Sequence, residues 1–185
     1  PTMTNDPRPN LRTAYDRYAA ERAQAAQRDW KIAARQDFLS RLQQEGRQTL
    51  LEIGAGPGHD SLFFQAQGLD VTAVDLSPAM VALCRSKGLD AHVMDMARLD
   101  FPAGSFDAVY SFNSLLHLPK AELPAVLRSI DNVLTPAGLV YIGLYGGYDH
   151  EGVWVDDFYE PQRFFAFYSN ESLVSAVGDV FDLVT

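Results

Sequence analysis

The chain has 185 residues, 47% of them hydrophobic and 21% charged, which suits one globular domain with a full core and is too short for two ordinary ones. A formal net charge of −9 leaves no basic patch to neutralise a polyanion, and no apolar run approaches the roughly 20 residues that span a bilayer, so neither nucleic acid nor membrane is an expected partner. The single cysteine, Cys84, rules out an internal disulfide and a cysteine-rich zinc site, and it fits a reducing cytoplasm, the expected location.

Asn5 to Asn10 is polar and proline-containing and is expected to be disordered. From Leu11 to Gly46 the pattern is helical, with a break expected near Arg28 to Trp30 and hence two helices. The second carries Ile32, Phe38, Leu39 and Leu42 close to one face and ends at Gly46. The first sets Tyr15 and Tyr18 three apart, on the same face. These helices either pack on the domain or cover a ligand.

The apolar run Leu50 to Ile53 then breaks into Gly54-Ala55-Gly56-Pro57-Gly58, three glycines in five positions, and reopens as a helix from Ser61 to Gln67. Strand, tight turn and helix start together present unpaired N–H groups where glycine lets a ligand approach the backbone. Asp70 to Asp75 reads as a second strand, and Ser77-Pro78 caps a helix running through Met80, Val81 and Cys84 to Gly88. Cys84 sits among apolar helix positions and reads as a buried, inert thiol.

Leu89 to Met94 is a third strand and Phe106 to Ser111 a fourth. Between about Lys120 and Leu134 the residues Leu123, Val126, Leu127, Ile130, Val133 and Leu134 form one apolar stripe, the mark of a helix packed on a sheet. Leu139 to Leu144 is a fifth strand. Strands alternating with helices at this spacing imply right-handed crossovers and an α/β, doubly wound, mostly parallel sheet with helices on both faces. Tyr145 to Ser169 is irregular and rich in aromatic residues, Asn170 caps a short helix to about Val177, and Val180 to Val184 begins a sixth strand. The expected layout is a single domain: residues 1–46 as the N-terminal helices, 47–144 as the ligand-binding core, and 145–185 as the substrate loop with the C-terminal helix and strand.

In such sheets the ligand lies beyond the carboxyl ends of the strands where strand order reverses. The glycine turn, Asp75, Asp95 and the segment Ser111 to His117 all fall there. Asp75 stands 21 positions after Gly54, the distance expected of a carboxylate that binds ribose hydroxyls. The turn is G-x-G-x-G, with His59 where a dinucleotide site has its last glycine and Asp60 beside it. An acidic residue at that helix start, with Glu52 just before the turn, suits a ligand bearing ammonium or sulfonium charge better than a pyrophosphate. A nicotinamide-dependent oxidoreductase is therefore the weaker alternative, and a non-catalytic binding module remains open because a fold does not establish turnover.

The ordered motifs Leu51-Glu52-Ile53-Gly54-Ala55-Gly56-Pro57-Gly58, Val74-Asp75-Leu76-Ser77-Pro78-Ala79-Met80, Met94-Asp95-Met96, Phe106-Asp107-Ala108-Val109 and Leu134-Thr135-Pro136-Ala137-Gly138 resemble those of the class I S-adenosylmethionine-dependent methyltransferases, over about Thr49 to Leu144. The resemblance implies a Rossmann-like fold with an N-terminal helical lid, S-adenosylmethionine as cofactor, S-adenosylhomocysteine as product, and methyl transfer to a small molecule. It implies that Glu52, Gly54, Ala55, Gly56 and Gly58 hold the methionine portion and that Asp75 binds the ribose. Leu76 and Met80 line the nucleoside, unless they are merely core, and Asp95 with Met96 holds the adenine, unless Asp95 is a turn residue. Asn113 is counted with the cofactor residues, and Tyr15 and Tyr18 form the lid, where aromatic faces suit a sulfonium.

Transfer from sulfur is an in-line displacement that needs positioning more than acid–base chemistry. Where the acceptor is a hydroxyl, His117 at the sheet edge is the candidate base. Tyr145, His150, Trp154, Arg163 and Tyr168 are the candidate acceptor-binding residues, for an apolar or aromatic molecule with an anionic group for Arg163. His59 and His92 read as structural. Asp149, Glu151, Asp156 and Asp157 lack metal-ligand spacing, and no metal is expected. The family sheet has seven strands, so the expectation is a missing final hairpin or a partner strand at the open edge, which also offers a surface for a homodimer.

Overall fold

The computed structural model describes residues 6–184. It opens with α1 (Arg8–Arg17), α2 (Ala19–Gln24) and α3 (Asp29–Gln44), three helices where two were expected. Helix α1 already includes Arg8 to Asn10, against the expected disorder there, because Pro7 and Pro9 sit at a helix start whose amides need no partner; Asn5 lies outside the described residues. The chain leaves helical geometry first at Tyr18 and again through the extended Ala25 and Arg28. Helix α3 closes as the sequence predicts: the Arg47 N–H reaches the Leu42 carbonyl at 2.8 Å and the Gly46 N–H that of Gln43 at 3.2 Å.

There follow β1 (Thr49–Ile53), α4 (His59–Ala66), β2 (Asp70–Asp75), α5 (Pro78–Ser86), β3 (Asp90–Val93), β4 (Phe106–Phe112), α6 (Leu123–Val133) and β5 (Leu134–Gly143). The five strands pair in parallel in the order β3-β2-β1-β4-β5, so the order reverses between β1 and β4. Strand alternation divides the core. Leu50, Val71, Ala108 and Tyr110 face Phe38, Leu39 and Leu42 of α3 and Phe64 of α4, while Ala73 and Ala91 meet Val81 and Cys84 of α5. On the other face Leu51, Ile53, Val74 and Val109 meet the stripe Leu123, Val126, Leu127, Ile130 and Val133, all buried.

Two expectations for the C-terminal region are corrected. The segment after β5 is not wholly irregular: β6 (His150–Val153) and β7 (Phe164–Phe167) form an antiparallel pair, leading into α7 (Asn170–Gly178). Val180 to Val184 is not a strand. The N–H groups of Val180 and Phe181 turn back to the Val177 carbonyl, and both side chains pack on the α6 face of the core, so this apolar run fills a helix–sheet junction. Among the described residues no strand pairs with the outer edge of β5 or of β3.

Tyr110 is fully buried, stacked on Tyr141 with ring centres 5.1 Å apart, and its hydroxyl has no hydrogen-bond partner. A buried, unpaired hydroxyl is destabilising by about 1–3 kcal/mol. Tyr110→Phe is expected to raise stability by about 1 kcal/mol. A urea titration measures this; a lowered midpoint at unchanged slope would show that the hydroxyl is satisfied.

Candidate active site

At the reversal point the chain must turn sharply off β1. Gly54 does so with φ +74°, its N–H bonded to the Val74 carbonyl at 2.8 Å. A Cβ on Gly54 would overlap the Ser114 side chain, which is itself fixed by hydrogen bonds to the Ile53 carbonyl at 2.8 Å and to Ser111 at 2.6 Å. Two residues on, the space that a Cβ of Gly56 would occupy is open. Gly54 therefore serves close packing, whereas Gly56 exposes backbone to a cavity.

That cavity has a volume of about 560 Å³. Its floor is the glycine turn with Glu52, Asp75 and Leu76; Met94, Met96, Asn113, Ser114 and His117 extend it along the sheet edge. Its roof comes from Leu11, Tyr15, Arg22 and residues 25–28 of the N-terminal helices, and its far wall from Tyr145, Phe158, Tyr159, Arg163 and Phe165.

The Asp75 carboxylate accepts the Gly56 N–H at 2.8 Å and the Ser77 N–H at 2.9 Å, tying the two loops together. Burial raises its pKa, and those two amides oppose the rise. Glu52 is 3% exposed and accepts the Ser61 hydroxyl. Burial, reinforced by the Asp60 charge, pushes its pKa up to about 8. Asp60 in turn holds Lys31 at 2.8 Å and Arg35 at 2.9 Å, four residues apart on one face of α3. Sequence reasoning missed Lys31, and the acidic helix start at Asp60, expected to suit a cationic ligand, is instead engaged by these two side chains.

His117 sits between α1 and the β6–β7 hairpin. Its Nδ1 is 2.8 Å from the Phe164 carbonyl, which can only accept, so the proton is on Nδ1 and Nε2 accepts the Tyr15 hydroxyl at 2.5 Å. Burial depresses its pKa to about 3, and Arg163 and Arg22 add to the effect. In this arrangement its basic nitrogen is occupied. The Tyr15 hydroxyl also accepts Arg163 Nη1 at 3.1 Å, while Arg163 Nε and Nη2 grip Asp157, both at 2.8 Å. Burial opposes ionisation of Asp157, yet the bonds from Arg163 hold it below the usual carboxylate range.

The cavity thus brings together Tyr15, Glu52, Gly54, Ala55, Gly56, Asp75, Leu76, Met96, Asn113, His117, Tyr145 and Arg163. Other residues expected at the site do not line it. Tyr18 rests on Tyr159 with ring centres 4.4 Å apart. Gly58 caps α4 against Leu89 and Cys84, and Met80 is core, 1% exposed, because α5 turns it inward from the capping Ser77. Asp95 is drawn away by Arg8, with 2.6 Å between its Oδ2 and Nε. His150 and Trp154 cluster with Phe167 on the hairpin, and Tyr168 is buried beneath Lys120. Arg22, Trp30 and Phe112, which do line the cavity, belong to apolar or helical patterns that mark no site in the sequence, whereas Tyr159 and Phe165 lie in the aromatic segment expected to form the substrate loop.

This sheet order, glycine turn and covering helix are the architecture of the Rossmann-like class I methyltransferase fold, shared with a solved 1,6-didemethyltoxoflavin-N1-methyltransferase of Burkholderia thailandensis with bound S-adenosylhomocysteine (TM-score 0.68, 23% identity, 92% of this chain and 75% of that one). The family model of the methyltransferase domain matches residues 50–138. A phosphoethanolamine N-methyltransferase of Triticum aestivum is 31% identical over 122 residues, 62% of this chain and 24% of the relative. A ubiquinone biosynthesis O-methyltransferase of Xanthomonas oryzae pv. oryzae is 34% identical over 116 residues, 58% of this chain and 47% of the relative. The chain spans between a quarter and a half of the length of these curated relatives. No helix among the described residues is long and apolar enough to cross a membrane.

The raised pKa of Glu52 has a signed consequence. Between the unfolded value near 4.3 and the folded value of about 8, the folded chain keeps a proton that the unfolded chain releases, so this group's contribution to stability falls as pH rises through that window. Glu52→Gln keeps an acceptor for Ser61 and removes the titration. Thermal melts of the ligand-free proteins should show the variant gaining on the wild type from pH 5 to pH 8 and levelling above it; a constant difference would place the Glu52 pKa in the ordinary range.

Proposed function

We propose that this cavity binds S-adenosylmethionine and that the chain transfers its methyl group to a small-molecule acceptor. The observation that carries the reading is the open backbone at Gly56, joined through its N–H to the Asp75 carboxylate and floored by Glu52. Each Asp75 oxygen accepts one backbone N–H and keeps acceptor capacity for a ribose hydroxyl. Glu52, protonated when the cavity is empty, supplies a negative charge once an ammonium group is placed against it. Tyr15, His117 and Phe165, which line the same cavity, would present aromatic faces to a bound sulfonium, whose positive charge such faces attract.

An in-line displacement there needs the acceptor atom held about 3 Å from the methyl carbon. His117, neutral and bonded on both nitrogens, positions Tyr15 and β7 instead of collecting the acceptor's proton. Arg163 is neutralised by Asp157, so the apolar or aromatic acceptor expected from the sequence, bearing a nitrogen or oxygen nucleophile, needs no anionic group for Arg163. The net charge of −9 argues against a nucleic-acid acceptor. The named relatives act through nitrogen in one case and oxygen in another, which supports either heteroatom.

Calorimetry with S-adenosylmethionine, S-adenosylhomocysteine and NAD is expected to show binding of the two adenosyl ligands and none of NAD. Asp75→Ala should weaken both by about 100-fold, the loss of two hydrogen bonds to a charged group. NAD binding in the absence of adenosyl binding would overturn the reading. Methyl-labelled cofactor incubated with a panel of aromatic amines and phenols then tests transfer, with label in the organic phase as the expected result.

A further inference from the structure

Four cationic side chains line the active cavity: Arg22, Arg28, Lys31 and Arg163. Lys31 is held by Asp60 and Arg163 by Asp157, each at 2.8 Å, and Arg28 is exposed. Arg22 of α2 differs from all three. Its Nε is shut off from solvent with no hydrogen-bond partner, and its one side-chain hydrogen bond among the described residues runs from Nη1 to the Tyr159 hydroxyl at a long 3.3 Å. A guanidinium has five N–H donors and stays charged, so a single phenol leaves it far from satisfied.

The carboxyl groups that share the cavity are engaged elsewhere. Asp60 holds Lys31 and Arg35, Glu52 accepts the Ser61 hydroxyl, and Asp75 accepts the Gly56 and Ser77 N–H groups. A cation drawn out of water without a counter-charge is costly, and a ligand that brings an anion to it removes that cost.

The surroundings of Arg22 say which part of a ligand brings it. Its guanidinium stands 5.2 Å over the Tyr15 ring and touches Tyr159, whose ring packs on Arg163 at 3.6 Å, so the charge lies where the roof meets the far wall. The reading of the cavity as an adenosyl site, on which this inference rests, sets the cofactor's amino-acid end against Glu52, where the Lys31 charge already acts. We propose that Arg22 is an acceptor-binding residue and that the methyl acceptor carries a compact anion, a carboxylate or phosphate on an apolar or aromatic skeleton, which the Arg22 guanidinium holds beside Tyr15. The planar fork suits two oxygens of such a group at once, and the Tyr159 hydroxyl orients it. Arg163, spent on Asp157, then belongs to the wall, and Arg22 supplies the selectivity for charge.

The test is calorimetry in saturating S-adenosylhomocysteine with benzoate, phenyl phosphate and acetate, each against its uncharged counterpart benzamide, benzyl alcohol or acetamide, on the wild type, Arg22→Met and Arg22→Lys. At least one anion should bind the wild type about tenfold or more tighter than its counterpart, the range of a charge-assisted hydrogen bond. Arg22→Met should abolish that preference, and Arg22→Lys, which keeps the charge without the fork, should retain part of it. No preference in the wild type, or an equal preference in Arg22→Met, overturns the proposal. The cofactor's own carboxylate is the rival source of the anion, and 5′-methylthioadenosine, which lacks the amino-acid end, separates the two. Its affinity relative to S-adenosylhomocysteine should be the same in the wild type and Arg22→Met; a tenfold change in that ratio assigns Arg22 to the cofactor and overturns the acceptor role. The anion titrations repeated without an adenosyl ligand keep the two readings apart: a wild type that binds no adenosyl ligand but still prefers the anion overturns the cofactor reading and supports the anion site.

Discussion

The molecule depends on one close approach, the contact of the Gly54 backbone with the Ser114 side chain. Because β1 and β4 are neighbours and the sheet order reverses between them, both strands deliver their following loops to the same place. Ser114 fills the gap and fastens itself to the Ile53 carbonyl, and only a residue without a Cβ, at φ +74°, fits opposite it. Everything downstream is registered on that contact. It aims the Gly56 N–H at Asp75, fixes the start of α4, and sets Glu52 and His117 on the same cavity.

Burial then dictates the chemistry of the groups so gathered. A carboxylate moved out of water must be paired, bonded by amides, or protonated. The cavity contains each solution: Asp60 is paired with Lys31 and Arg35, Asp75 is bonded by two backbone N–H groups, and Glu52 tends to keep its proton. Asp157 and Arg163 neutralise one another at the far wall. What remains facing the cavity is the Glu52 carboxyl, the spare acceptor capacity of Asp75, the Arg22 guanidinium and a set of aromatic faces.

The roof and the far wall come from parts of the chain distant in sequence that meet only at the site. Tyr15 of α1 meets His117 after β4 and Arg163 before β7, and a neutral imidazole bridges two otherwise separate elements because a carbonyl fixes its tautomer. Arg8 and Asp16, near the two ends of α1, meet Asp95 and Ser77 at other strand ends. The loops after β2, β3 and β4 thus each carry a contact to α1 at the edge of the cavity.

The sequence alone determined the parallel sheet, its strands β1 to β4, the α6 stripe, the helix-closing Gly46 and the clustering of Glu52, Gly54, Gly56 and Asp75, because these follow from local rules: strand and helix periodicity, caps, and the spacing of a turn from the next strand end. It misjudged Val180 to Val184, where a short apolar run serves a helix junction as well as a strand, and it did not find the β6–β7 hairpin, whose aromatic residues carry no clean alternation. Only the tertiary structure decided which side chains of a motif face the ligand. Met80 and Gly58 are motif residues turned to the core, Asp95 is taken by Arg8 from 87 positions away, and Arg163 is spent on Asp157 before any acceptor arrives. Side-chain direction and charge pairing depend on what folding brings alongside, and no local pattern encodes a neighbour that arrives from elsewhere in the chain.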